Sequence, residues 1–145
     1  MGVVRAHHVH IEHEFAKPPE RIFARLAEHE NLAEVFGAKV RRLRDGDGER
    51  NGVGSVRELQ IGPLPPFEET VTEFVSPERI VYRITKGSPL RGHVGVMTFA
   101  PSAAGGTSFV YDIRLASPIP GVAVIVRAAL TRSISASLAD VDRDA

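Results

Sequence analysis

The sequence predicts an α+β fold in which a seven-stranded antiparallel sheet curves around one long C-terminal helix. Three observations lead there: period-2 alternation near the N-terminus, six further strand-like runs separated by short turns, and a final segment of helical period. A chain of 145 residues, 43% apolar and 25% charged, has the size and composition of one ordinary globular domain, and we expect residues 1–145 to form one.

The first strand is read from Arg5 to Phe15, where Val9, Ile11 and Phe15 share one parity and His8, His10, Glu12 and Glu14 the other. Lys17-Pro18-Pro19-Glu20 stops it, and Pro19 suits the first turn of a helix because its fixed φ fits and its missing N–H is not needed there. Ile22, Phe23, Leu26, Leu32, Val35 and Phe36 then give one or two short helices ending at Gly37.

Turn clusters at Asp45 to Gly48, Asn51-Gly52 and Ser102 to Gly106 punctuate a sheet. The runs between them are Lys39 to Arg44, Gly54 to Ile61, Phe67 to Val75, Ile80 to Lys86, His93 to Ala100 and Thr107 to Ala116. Connections this short require antiparallel pairing, since a parallel crossover needs about a dozen residues.

From Pro120 to about Val141 the period becomes helical, with a stripe of Val122, Val126, Ala129, Leu130, Ile134, Leu138 and Val141. Some twenty helical residues run about 30 Å, the width of a small domain. The apolar stretch Ile119 to Leu130 is interrupted by Pro120, Gly121 and Arg127 and falls short of the roughly 20 residues of a membrane span, so a core helix is expected. A curved sheet and a helix touch poorly at mid-length, which predicts an oily void between them.

Eighteen basic residues balance eighteen acidic ones, so no net charge draws the chain to nucleic acid. With no cysteine, disulfide scaffolds and thiolate chemistry are excluded. The N-terminus from Met1 to His8 lacks a signal-peptide pattern, and a cytoplasmic location is expected. Gly46-Asp47-Gly48 and Gly52-Val53-Gly54 lie between strands rather than at a strand-to-helix junction, so no nucleotide cofactor is expected. A monomer or homodimer is expected.

Order and spacing of several short segments give a family likeness: Ala16 to Phe23 after the first strand, Gly52 to Arg57, Glu69 to Glu73, Pro77 to Tyr82, and Gly106-Thr107. On these segments the chain resembles the START-like (SRPBCC, helix-grip) superfamily, in its polyketide cyclase/dehydrase-like branch. The resemblance implies the helix-grip fold and a small hydrophobic ligand, with activities in the group ranging from lipid binding to aromatic polyketide cyclisation. No catalytic motif of the family matches residue by residue.

Candidate groups are therefore read from this sequence alone. His7, His8, His10 and His13 with Glu12 suggest a metal site, but parity sends His8, His10 and Glu12 to solvent, about 7 Å apart, and no metal is expected. His93 shares parity with Met97 and Phe99 and either lines the void or sits solvated at the strand mouth beside Arg91. Tyr82 and Tyr111 have inward parity, and a buried hydroxyl needs a partner. Glu69 and Glu73 share parity with Phe67, Val71 and Val75; one of them enters the interior, either paired with Arg57 or protonated with a raised pKa, or both face solvent.

Gly62 to Phe67 reads as an exposed rim carrying Leu64 and Phe67, or as a stiff hairpin turn, and Ser117 to Gly121 as a hinge or a simple reversal. The expected ligand contacts are Tyr82, His93, Met97, Phe99, Tyr111, Val126, Leu130 and Ile134. Three functions remain open: a carrier for a lipid, isoprenoid, quinone or aromatic polyketide; a cyclase-type enzyme using Tyr82, His93, Tyr111 or Glu69; or a protein-partner adaptor.

Overall fold

The computed structural model describes residues 5–145. Met1 to Val4, part of the stretch read for a signal peptide, lie outside the described residues. Strands β1 (His7–Phe15), β2 (Lys39–Arg44), β3 (Val56–Gln60), β4 (Phe67–Val75), β5 (Arg79–Lys86), β6 (Arg91–Pro101) and β7 (Thr107–Ala116) form one sheet in the order β1-β7-β6-β5-β4-β3-β2. Every neighbouring pair is antiparallel. Helices α1 (Pro19–Ala27) and α2 (Leu32–Phe36), joined by a 3₁₀ turn at His29–Asn31, follow β1, and α3 (Val122–Asp144) closes the chain. This is the expected helix-grip arrangement.

Local chemistry sets the element ends. Pro19 opens α1 with the Pro18 carbonyl accepting from the Arg21 and Ile22 N–H groups. Gly37 ends α2 at φ 62, and its missing side chain leaves room for the Ser133 hydroxyl of α3, which a Cβ would meet at 2.8 Å. The far end of α3 is tied down by Asp142, whose carboxylate accepts from the backbone N–H groups of Ala16 and Lys17 at 2.8 and 3.1 Å.

The buried stripe of α3 is Ala123, Val126, Leu130, Ile134, Leu138 and Val141, with Ser137 among them. Ala129, expected in that stripe, is exposed, and Val122 is only half-buried. Alanine is apolar enough to suit either face, so periodicity alone does not fix its side.

Two register shifts bend β4 against β5, one between Glu68 and Glu69 and one between Val71 and Glu73. The second is a bulge that inverts the alternation. Before it Phe67, Glu69 and Val71 point inward; after it Glu73 turns out to Arg79 at 3.0 Å, and Phe74 packs on Phe23 at 5.2 Å between ring centroids. Phe67, expected on an exposed rim, is 6% exposed, and Leu64 packs partly against the core.

By length and composition α3 is apolar enough to cross a membrane, yet it grips the sheet with Ile134 fully buried. It packs chiefly against β1 and α2 and only lightly elsewhere. That lopsided seat leaves the β3–β6 half of the sheet beneath the first turns of the helix as the place for a cavity.

Candidate functional site

A cavity lies there, walled by apolar side chains from β3, β4, β5, β7, α2, α3 and the loops between strands, among them Phe36, Leu59, Phe67, Leu90, Val126 and Leu130. Three polar side chains share the wall: Glu69, Tyr82 and His93. Its volume is about 20 Å³, room for about one water. The void expected from the fold is thus present but narrow, because Tyr82, Arg57 and their neighbours fill much of the space.

Arg57 and Glu69 face each other across β3 and β4, 2% and 4% exposed. The Arg57 Nε–H donates to Glu69 Oε1 at 2.9 Å. Nη2 lies 2.8 Å from the same oxygen but is not aligned to donate to it, and it has no acceptor among the described residues. The guanidinium also stacks over the Tyr82 ring, 4.6 Å from its centroid.

His93 is 8% exposed, so the inward alternative holds over the solvated mouth. Its Nδ1 accepts the Ile84 N–H at 3.1 Å. That bond places the imidazole proton on Nε2, which faces Glu69 Oε2 at 3.6 Å, beyond direct hydrogen-bond length. Burial, opposed by Glu69, holds the His93 pKa below the ordinary histidine value.

Tyr82 and Tyr111 hydrogen-bond to each other through their hydroxyls. Burial raises both phenols well above their usual pKa. One hydroxyl donates to the other, and the accepting phenol keeps a proton with no recorded acceptor among the described residues. The site therefore holds more donors than acceptors: one phenolic O–H, the His93 Nε2–H and the Arg57 Nη2–H against one carboxylate oxygen without a hydrogen bond, Glu69 Oε2.

Among the expected contacts, Tyr82, His93, Val126 and Leu130 line the cavity, as does Glu69. Tyr111 stands one layer behind Tyr82, and Met97, Phe99 and Ile134 are packed core off the cavity wall. His8, His10 and Glu12 are exposed, with His10 hydrogen-bonded to Asp112 on β7. Among the described residues no three His, Cys, Asp or Glu side chains gather to hold a metal.

Sequence reasoning missed His29, fully buried in the 3₁₀ turn next to this cluster. Ser55 donates its hydroxyl to the Gly52 carbonyl at 2.7 Å, so it accepts from His29 Nε2–H at 3.0 Å. Burial first, then Arg57 and Arg42, press the His29 pKa down to about 3 from 6.5. Between those values the unfolded chain binds the proton and the folded one does not. Stability is therefore full above pH 6.5 and falls as acid is added, at about 1.4 kcal/mol per pH unit for this one group. Melting curves from neutral pH to about pH 4 should show the decline, and His29→Gln should flatten it; an unchanged slope in the variant would remove His29 as its source.

A family model described as "Polyketide cyclase / dehydrase and lipid transport" matches residues 6–145. No curated protein sequence matches the chain. Norcoclaurine synthase from Thalictrum flavum superposes with a TM-score of 0.70 at 15% identity, covering 98% of this chain and 94% of that one. A Rhizobium loti protein gives 0.69 at 23% identity, covering 97% and 99%. A Streptomyces aromatase/cyclase gives 0.68 at 20% identity, covering 95% and 90%. At these identities the likeness is one of fold.

Proposed function

The chain belongs to the polyketide cyclase/dehydrase and lipid-transport family, and from that premise we propose that it is a cytoplasmic binder of a small hydrophobic molecule bearing one hydrogen-bond acceptor. The observation that carries this reading is the donor surplus at one side of an otherwise apolar cavity. A ketone or carboxylate oxygen would satisfy protons that the protein leaves unmatched. The hydrocarbon remainder would lie against Phe36, Leu59, Val126 and Leu130. A guest larger than one water needs the first half of α3 to lift, and that half closes the cavity with only Val126 and Leu130.

The same groups favour holding a ligand over transforming it. His93 uses its lone pair on the Ile84 N–H and so offers a donor rather than a base. The phenols, pushed up by burial, donate hydrogen bonds but release protons poorly. Glu69 Oε1 is occupied by Arg57.

A matched pair of probes tests this: 2-acetylnaphthalene and 2-ethylnaphthalene share a shape and differ in one carbonyl oxygen. Calorimetric titration should give about tenfold tighter binding of the ketone, the worth of one hydrogen bond to a buried donor, and Tyr82→Phe should narrow the gap. Equal affinities, or no binding of either, would defeat the proposal.

A further inference from the structure

The first turns of α3 present more apolar surface than the fold uses. Ile119 is 50% exposed, Val124 46% and Ile125 68%, and all three lie within seven residues at one end of the molecule. Ala128 and Ala129, one turn on, are exposed as well and extend the strip. Elsewhere the large exposed apolar side chains, Leu43, Val53 and Val75, are spread along the chain. Only 33% of the most apolar window of α3 is buried, although its composition matches that of a membrane span. Scattered exposed apolar residues need no explanation, whereas a contiguous group does.

Charge identifies what the group faces. The chain is neutral overall, yet residues 79–139 carry seven arginines and lysines against one acid, Asp112. Arg79 and Lys86 are paired with Glu73 and Glu68 on the sheet, but Arg91 and Arg114 are not so neutralised. Arg91 donates to the carbonyls of Ser88 and Leu90, and Arg114 to that of Gly92, so their recorded partners are backbone rather than carboxylates. Arg91 stands opposite Ala116 in the β6–β7 ladder, three residues before Ile119, and exposed Arg127 neighbours Val124 on the helix. Apolar side chains at the tip with an unneutralised basic rim are complementary to an anionic bilayer, with the hydrocarbon inserted and the guanidiniums at the headgroups.

We propose that the face formed by Ile119, Val124 and Ile125, rimmed by Arg91 and Arg127, docks on anionic lipid membranes. Leu90 and Val126 border the cavity at this end, so a docked molecule would present its interior site to the bilayer. The link to transport rests on the interior-site reading, but vesicle binding is measured with no guest present, so each proposal fails on its own evidence.

Flotation of the whole chain with phosphatidylcholine vesicles, and with vesicles mixed from phosphatidylcholine and phosphatidylglycerol, tests it. Binding is expected to the mixed vesicles, to weaken with added salt, and to be about tenfold or more poorer on phosphatidylcholine alone. Ile125→Ser and Arg127→Glu should each lower partitioning by about tenfold while leaving the melting temperature near that of the parent, since both side chains are exposed. Failure to bind the mixed vesicles, or equal binding by parent and both variants, overturns the proposal. Self-association that Ile125→Ser abolishes, without vesicle binding, would assign the face to a second copy of the chain and overturn it equally.

Discussion

Arg57→Met is expected to lower the stability of the fold by about 3–5 kcal/mol, seen as a large drop in the urea midpoint. The reason is the company Glu69 keeps. With Arg57 gone, a carboxylate 4% exposed is left with His93 as its nearest ionisable neighbour, 3.6 Å away. Removing one member of a buried pair strands the other, and that loss exceeds the worth of the pair itself. Arg57 also lowers the His93 pKa, so the variant should show a histidine that takes up its proton at higher pH, readable by NMR titration.

Replacing both partners with apolar residues of similar length, Arg57→Met with Glu69→Leu, should recover most of the loss, or even stabilise by about 1–4 kcal/mol. A network kept for stability would not behave that way. One kept for recognition should, and the double variant should then show a smaller preference for the ketone probe over its hydrocarbon analogue, having lost the Arg57 donor. A single variant that loses less than about 1 kcal/mol would mean the pair is not desolvated as the geometry requires.

The fold was legible because its elements announce themselves through period and punctuation. β2, β4 and β7 match the runs read from the sequence at both ends, since Gly and Pro clusters flank them. Parity also sent Tyr82 and Tyr111 inward, as strand alternation must when no bulge intervenes, and of the two places left open for His93 the inner one is observed. In β4 parity left Glu69 and Glu73 equivalent, and only the bulge after Val71 separates them. A bulge depends on the partner strand, so a single run of residues carries no mark of it.

Two further features were illegible for other reasons. His29 sits in a 3₁₀ turn too short to have a period, and its hydrogen-bond partner Ser55 and the Arg57 charge that acts on it are both distant in sequence. Cavity volume depends on how large side chains settle against one another, which pattern does not encode. The expectation of an oily void set no size for it, and Tyr82 leans into the space that a glycine opens opposite it.

That glycine is Gly95, and Gly95→Ala is expected to destabilise by about 1–3 kcal/mol, although alanine suits a strand better than glycine does. Gly95 faces Tyr82 directly in the β5–β6 ladder. A Cβ there would stand 2.1 Å from Tyr82 Cζ and 2.5 Å from its hydroxyl oxygen, distances that nonbonded atoms do not tolerate. The ring has little freedom to retreat, with the Arg57 guanidinium 4.6 Å from its centroid, its hydroxyl on Tyr111, and a cavity of only about 20 Å³ beside it. In a Tyr82→Leu background the clash disappears, so the added methyl should cost nothing and help refill the space. The two substitutions should therefore couple by about 1–3 kcal/mol in a double-mutant cycle. Equal loss from Gly95→Ala in both backgrounds would show that the cost lies in the backbone and not in the ring.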